Sequence, residues 1–333
     1  MDYVERPDAL GQRILDRIMN PISHRLLLAG PAGCGKTTEI HQVVRLAHPN
    51  YTVFLCPCDR DLDLYRFNRV LLVRYLLWRI VFIASQPQTP IKLSQEIVRD
   101  VLQSVGANDT KLDNPRLFFS EVKLPPTSSS IYITLQRLLA EVDNPLLLID
   151  GLEKIPTDAA ESLREFVRSP ELNACQAVVI VPNWALLGWD GVRTYEDVEI
   201  LEIAVPPVPD FVRAVLVRRV GESFTSTALD LTAEWSGGVV RDGLQLAGTA
   251  CRRAMDDRSP TVEANHVQAA VRALREAFRS MISDDPVSAG QFLDEVRRSR
   301  QLPGNPVLRD RLLGNGIVLP NEDGSFRVHP CVD

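Results

Sequence analysis

Apolar residues are arranged in two ways along this chain, and the change comes near residue 205. Before it, short apolar runs alternate with stretches of helical spacing. The runs at 25–29 (RLLLA), 51–55 (YTVFL), 146–149 (LLLI), 176–181 (QAVVIV) and 199–204 predict strands of a buried parallel sheet. Between them, Leu10, Ile14 and Ile18 predict a helix whose first position suits Pro7. Residues 38–47 and 131–142 predict two more, and 158–168 another, with Leu163, Phe166 and Val167 turned inward. Residues 70–84 are almost wholly apolar. Arg74 and Arg79 interrupt them and the stretch is too short to span a bilayer, so a buried core helix is expected. Residues 86–130, with Pro87, Pro90, Pro115, Pro125 and Pro126, are expected to form an irregular insertion of short helix and loop, partly mobile and able to serve as a contact surface.

Beyond the prolines at 206, 207 and 209 the pattern is helical. Asp210 is placed to cap a helix containing Phe211, Ala214, Val215 and Val217. A second helix is expected over 242–254 and a third over 262–279, the latter with Val267, Val271, Leu274 and Phe278 on one face. The last stretch predicts a helix around Phe292 and Val296, another over 306–313, and a hairpin of 317–319 and 326–328 turned at Asp323-Gly324. The expected organisation is an α/β core over 1–205, a helical domain over 206–280 and a small α+β domain over 281–333.

The chemistry begins at the first strand's end. Gly30, Pro31, Ala32, Gly33, Cys34, Gly35, Lys36, Thr37 and Thr38 fit the phosphate-loop pattern G-x-x-x-x-G-K-[ST], with a strand before and a helix after. Glycines let such a backbone turn its N–H groups inward, and the following helix adds partial positive charge, so the loop takes a polyphosphate. Lys36 is expected to reach the β- and γ-phosphates of ATP and Thr37 to ligate Mg²⁺. A second half-site follows, where the run 146–149 ends at Asp150, the expected outer ligand of the same Mg²⁺. The pattern thus predicts a P-loop NTPase: a parallel sheet flanked by helices.

Hydrolysis needs a carboxylate to orient the attacking water. Gly151 follows Asp150, and the nearest acid on the same segment is Glu153. Asp-Gly-Leu followed by an acid resembles the STAND class of signalling ATPases, a branch close to AAA+ proteins. That resemblance implies that Glu153 is the catalytic acid. It also implies a second acid where this chain has Lys154, which leaves open slow turnover or a nucleotide held as a structural element. Asn183, at a strand tip beside Pro182, can either sense the γ-phosphate or simply make the turn. Arg193 has the place of an arginine that reaches a neighbour's nucleotide, or is an ordinary solvated loop arginine. In the helical lid of AAA+ and initiator-type ATPases a Gly-rich turn opens a helix with a nucleotide-sensing arginine. Arg241, after Gly237 and Gly238, matches it. The C-terminal module resembles a winged helix.

Charge bears on partners. The whole chain is at −6, and residues 281–333 carry six arginines against eight acids, with Glu322 and Asp323 at the hairpin tip. That weighs against DNA, although Arg297, Arg298 and Arg300 form one basic patch. Six scattered cysteines suggest a reduced, cytoplasmic setting, and Cys56-Pro57-Cys58 lacks the second pair that a zinc site needs. The resemblance implies an ATP-driven switch that forms a homo-oligomer or engages a separate effector protein, as in bacterial defence or signalling modules. The competing expectation is a DNA-bound ATPase of initiator or transposition-regulator type. A metabolic kinase is the weaker third reading, because the helical half offers no acceptor site, and no membrane association is expected.

Overall fold

A computed structural model describes residues 3–20, 24–110, 112, 114–121, 130–183, 198–205 and 209–332. They form two compact units. One comprises residues 10–29 and 37–201, and the other residues 1–9, 30–36 and 202–333.

The first unit is built on a sheet of β1 (Arg25–Ala29), β2 (Thr52–Pro57), β3 (Pro145–Asp150), β4 (Gln176–Ile180) and β5 (Val198–Glu202), in the order β2-β3-β4-β1-β5. β2 pairs with β3, β3 with β4 and β4 with β1, all parallel. One strand, β4, therefore stands between the strand that enters the phosphate loop and the strand that ends in Asp150. Every residue of β1 and β3 is buried, which is why both read as unbroken apolar runs. The fold is that of a P-loop NTPase.

Helices clothe the sheet: α1 (Leu10–Met19), α2 (Lys36–Ala47), the single turn α3 (Cys58–Asp61), α4 (Arg69–Ala84), α5 (Gln95–Val105), α6 (Pro115–Glu121), α7 (Ser130–Ala140) and α8 (Ala160–Val167). Pro7 does not open α1. It sits in a turn, and the helix starts at Leu10 because Ala9 has a positive φ of 44°. The apolar stretch is α4, capped by the Asn68 side chain, which accepts from the Leu71 N–H at 2.9 Å. Its arginines are handled differently. Arg79 donates to the Leu55 carbonyl at 3.0 Å, whereas Arg74 is buried and desolvation pulls its pKa down.

The stretch expected to be irregular contains a regular helix. α5 starts at Ser94, whose hydroxyl caps it, and ends at Gly106 in the left-handed region. It buries Ile97, Val101 and Val105 in the core. The i, i+4, i+8 spacing of these three residues carries the helix through a stretch flanked by prolines at 87, 90 and 115. α6 adds Phe119, edge-on to Tyr75 and Trp78 at 5.8 Å. Residues 122–129 of that stretch lie outside the described ones.

The second unit carries the helices α9 (Asp210–Val220), α10 (Ser226–Trp235), α11 (Val240–Asp256), α12 (Ala264–Ile282), α13 (Pro286–Ser299) and α14 (Pro306–Gly314). β6 (Val318–Pro320) and β7 (Phe326–Val328) close it as an antiparallel pair. Asp210 is the first residue of α9 and not its cap, and the buried face is Val212, Val215 and Leu216, with Val217 exposed. α10 was not foreseen. Thr225 caps it, accepting from the Ala228 N–H. The hairpin is tied down by several bonds. Val205 N–H donates to the Pro320 carbonyl at 3.0 Å, and Arg327 donates to the carbonyls of Val205 and Gly237. His329, buried, lies 3.0 Å from the Ser236 carbonyl and edge-on to Phe278. Among the described residues no helix is long and apolar enough to cross a membrane.

Replacing Ile97 by Ala should destabilise the chain by about 2–5 kcal/mol, the usual cost of truncating a fully buried aliphatic residue. Chemical denaturation reads this directly. A change under about 0.5 kcal/mol, typical of surface positions, would mean that α5 is not part of the cooperative core.

Candidate functional site

The phosphate loop leaves β1 at Gly30 and enters α2 at Lys36, and its shape depends on missing side chains. A Cβ at Gly30 would lie 2.9 Å from the Ile203 Cβ. Gly33 has φ +83°, and a Cβ there would lie 2.5 Å from the Arg241 Cβ. Gly35, with φ +100°, also needs glycine's freedom. Pro31 and Cys34 are buried, Ala32 is half-buried, and Thr37 and Thr38 are exposed at the start of α2, where the first-turn N–H groups have no partner within the helix.

Lys36 is only 5% exposed, so its ammonium must be given oxygens. It finds them within the loop: Nζ donates to the Gly30 carbonyl at 2.7 Å and to the Pro31 carbonyl at 2.9 Å. Arg6 braces the same loop from the N-terminal segment. Its guanidinium donates to the Cys34 carbonyl and to Asp8, and it stacks over the Phe211 ring at 5.7 Å. Sequence reasoning did not single out Arg6, and an arginine before a proline carries no signal of this kind.

Arg241, in the first turn of α11, lies against the loop. Its backbone N–H donates to the Gly33 carbonyl at 3.3 Å, and its side chain, exposed to solvent, lies along the glycine. The turn before it holds Gly237 and Gly238, both at positive φ.

On the sheet side, β3 ends in Asp150. Its carboxylate accepts from the Thr37 hydroxyl at 3.2 Å. Asp150 is 6% exposed, and burial pushes its pKa up from the ordinary carboxylate range, partly offset by the Thr37 bond. A hydroxyl and a carboxylate side by side are hard oxygen donors. They suit Mg²⁺, which binds through one or two protein oxygens and completes its shell with phosphate and water, and a cation would relieve the desolvated carboxylate. Among the described residues no group of three or more His, Cys, Asp or Glu side chains could hold a metal. Cys56 and Cys58 are free, fully buried thiols, and burial pushes Cys56 up to about 12.

Glu153 follows on a short 3₁₀ turn, Leu152–Lys154, and is half-buried with its Oε2 sealed from solvent. Gly151 is in the left-handed region, and what packs on it is Asp59, another residue that the sequence reading passed over. Asn183 lies just past β4, half-buried. Arg193 lies outside the described residues.

No protein-family profile matches this chain, and no curated protein sequence does. Among solved structures, it is similar to the Aeropyrum pernix ORC1 protein in complex with DNA, at 16% identity and a TM-score of 0.49, covering 99% of this chain and 90% of that one. It is also similar to the Aeropyrum pernix ORC2 protein in its ADPNP–ADP complexes, at 16% identity and 0.48, with 98% and 89% covered. The Thermotoga maritima RuvB Holliday junction branch migration motor is a third, at 13% and 0.46, with 98% and 94% covered.

Two outcomes follow from the site's electrostatics. Because folding raises the Asp150 pKa, the ionised carboxylate opposes folding, and this cost grows as pH rises from the unfolded-state value through the folded one. Asp150→Asn should therefore melt no lower than the parent at pH 7 without nucleotide, read by thermal unfolding. Lys36→Ala should lose nucleotide binding at least tenfold, measured by titration with a fluorescent ATP analogue.

Proposed function

We propose that this chain is an ATP-binding, slowly hydrolysing switch whose nucleotide state sets the arrangement of its helical half and thereby its assembly with protein partners. The observation that carries this reading is the membership of the phosphate loop. Gly30–Lys36 belongs to the same compact unit as residues 202–333, and the Gly33 carbonyl is bonded to the first turn of α11. A loop that takes a polyphosphate must redirect its backbone groups, and here one of those groups already holds a lid helix. Occupancy and lid position are then linked, which is the requirement for a two-state switch.

In this reading the loop N–H groups and Lys36 bind the phosphates, with Lys36 exchanging the Gly30 and Pro31 carbonyls for phosphate oxygens. Thr37 and Asp150 hold Mg²⁺, which neutralises charge on the phosphate oxygens. Arg241 reads the nucleotide from the lid, while Asn183 and Arg193 remain candidates for γ-phosphate sensing and for a neighbour's site. A carboxylate beside Asp150 orients the water, with Glu153 the acid on the same segment.

The electrostatics of the C-terminal module support a protein partner over DNA. Arg297 pairs with Asp294, Arg298 with Glu295, Arg309 with Asp310 and Arg311 with Asp284. Arg327 is turned inward onto carbonyls, and burial lowers its pKa. Most of the arginines that could meet a phosphate backbone are already engaged, and binding DNA would break those pairs.

Native mass measurement with ATP and with ADP, with and without duplex DNA, tests this. We expect a higher-order complex with ATP that dissociates with ADP, and no retention of DNA at physiological salt. A chain that stays monomeric in both nucleotides and captures DNA only with ATP would replace this reading with the initiator-type one.

A further inference from the structure

Gly151 follows Asp150 directly, and its surroundings explain the glycine. A Cβ at 151 would fall 2.6 Å from the Asp59 nitrogen, 2.7 Å from the Asp59 Cβ and 2.8 Å from its Oδ1. These are separations that real Cβ atoms do not have, and the backbone at φ +89° disfavours a side chain as well. Asp59 is therefore where a side chain on residue 151 would begin.

Strand register brings it there. β2 runs parallel to β3 with Pro57 opposite Asp150, and α3 begins at the next residue. Asp59 is thus carried across the end of the neighbouring strand. The two acids of α3 have different surroundings. Asp61 is buried, accepts from the Tyr75 hydroxyl at 2.9 Å and from Arg60 at 3.0 Å, and so belongs to the core. Asp59 is 31% exposed and forms an ion pair with Lys154, the residue that stands where the resemblance called for another acid. Its charge is felt at Asp150, second to burial among the causes that raise that carboxylate. Glu153, by contrast, has one oxygen sealed from water.

We infer that Asp59 supplies the water-orienting carboxylate of this ATPase, from the neighbouring strand and in the space that Gly151 leaves open, with Lys154 holding it in place. This rests on the ATP-hydrolysing reading above. In the step, the water oxygen bonds to the γ-phosphorus as the bridging P–O bond breaks and ADP leaves with that electron pair. The water's proton passes to Asp59 and from there to the phosphate product or solvent. Gly151 then provides the room, and Lys154 the counter-charge, for one acid brought from elsewhere.

The test is steady-state ATP hydrolysis with Mg²⁺ for the full chain and for Asp59→Asn, alongside binding of a fluorescent ATP analogue and thermal melting. A positioned base contributes about 10²–10⁴-fold, so Asp59→Asn should lower kcat by at least about 100-fold, with KM, ATP affinity and the Mg²⁺ midpoint within about threefold of the parent. Lys154→Met, which leaves the carboxylate in place but unheld, should lower kcat with KM unchanged, and it serves if the Asn variant fails to fold. Asp59→Asn turning over within about threefold of the parent, or losing binding in parallel with rate, overturns the assignment. With the Asn variant unfolded, an unchanged kcat in Lys154→Met overturns it too. A parent chain that neither binds nor hydrolyses ATP sinks the ATPase reading itself, and that result is distinct from active parent enzyme with an indifferent Asp59.

Discussion

A lysine ammonium shut away from water has to be surrounded by oxygens, and the shape of the phosphate loop follows from that need. Lys36 satisfies it with the Gly30 and Pro31 carbonyls. For those two carbonyls to converge on one nitrogen the loop must curl tightly, and the curl requires left-handed backbone at Gly33 and Gly35 and bare space at Gly30. The strand before the loop must be rigid to aim it, which β1 is by being buried along its whole length. An incoming triphosphate offers better oxygens than two neutral carbonyls, because charge-assisted bonds are roughly twice as strong as neutral ones. In the proposed function, phosphate oxygens would take the place of these two carbonyls on the lysine.

The sheet side of the site follows a similar economy. Asp150 is buried at the cost of a raised pKa, relieved in part by a threonine from the phosphate-loop helix. The two groups are positioned by different secondary-structure elements, and a cation between them would relieve the buried carboxylate.

Much of this could be read from the chain. Unbroken apolar runs gave the central strands to within a residue or two, because strands covered on both faces carry no polar alternation. The glycine-lysine-threonine motif and the Asp after an apolar run are each local in sequence, and the structure sets Thr37 beside Asp150. What escaped was whatever depends on neighbours in space. α5 had its spacing at Ile97, Val101 and Val105, but the prolines nearby suggested an irregular mix of short helix and loop, and packing on α4 and α7 explains its burial. Asp210 proved to be the first residue of α9 with Pro209 ahead of it, because a capping residue is defined by backbone geometry that its side chain alone does not announce. Arg6 and Asp59 reach the site through the fold, from the N-terminal segment and from a neighbouring strand.

The contact between Gly33 and Arg241 has a kinetic consequence. In the switch proposed above, the Gly33 carbonyl bonded to the Arg241 N–H at 3.3 Å makes emptying and filling of the loop depend on the first turn of α11. The dwell time of a bound molecule is then governed by the stiffness of that helix end as much as by the grip on its phosphates. Evolution could lengthen or shorten a signal there, in the Gly-Gly turn ahead of Arg241, without altering a single phosphate-contacting residue.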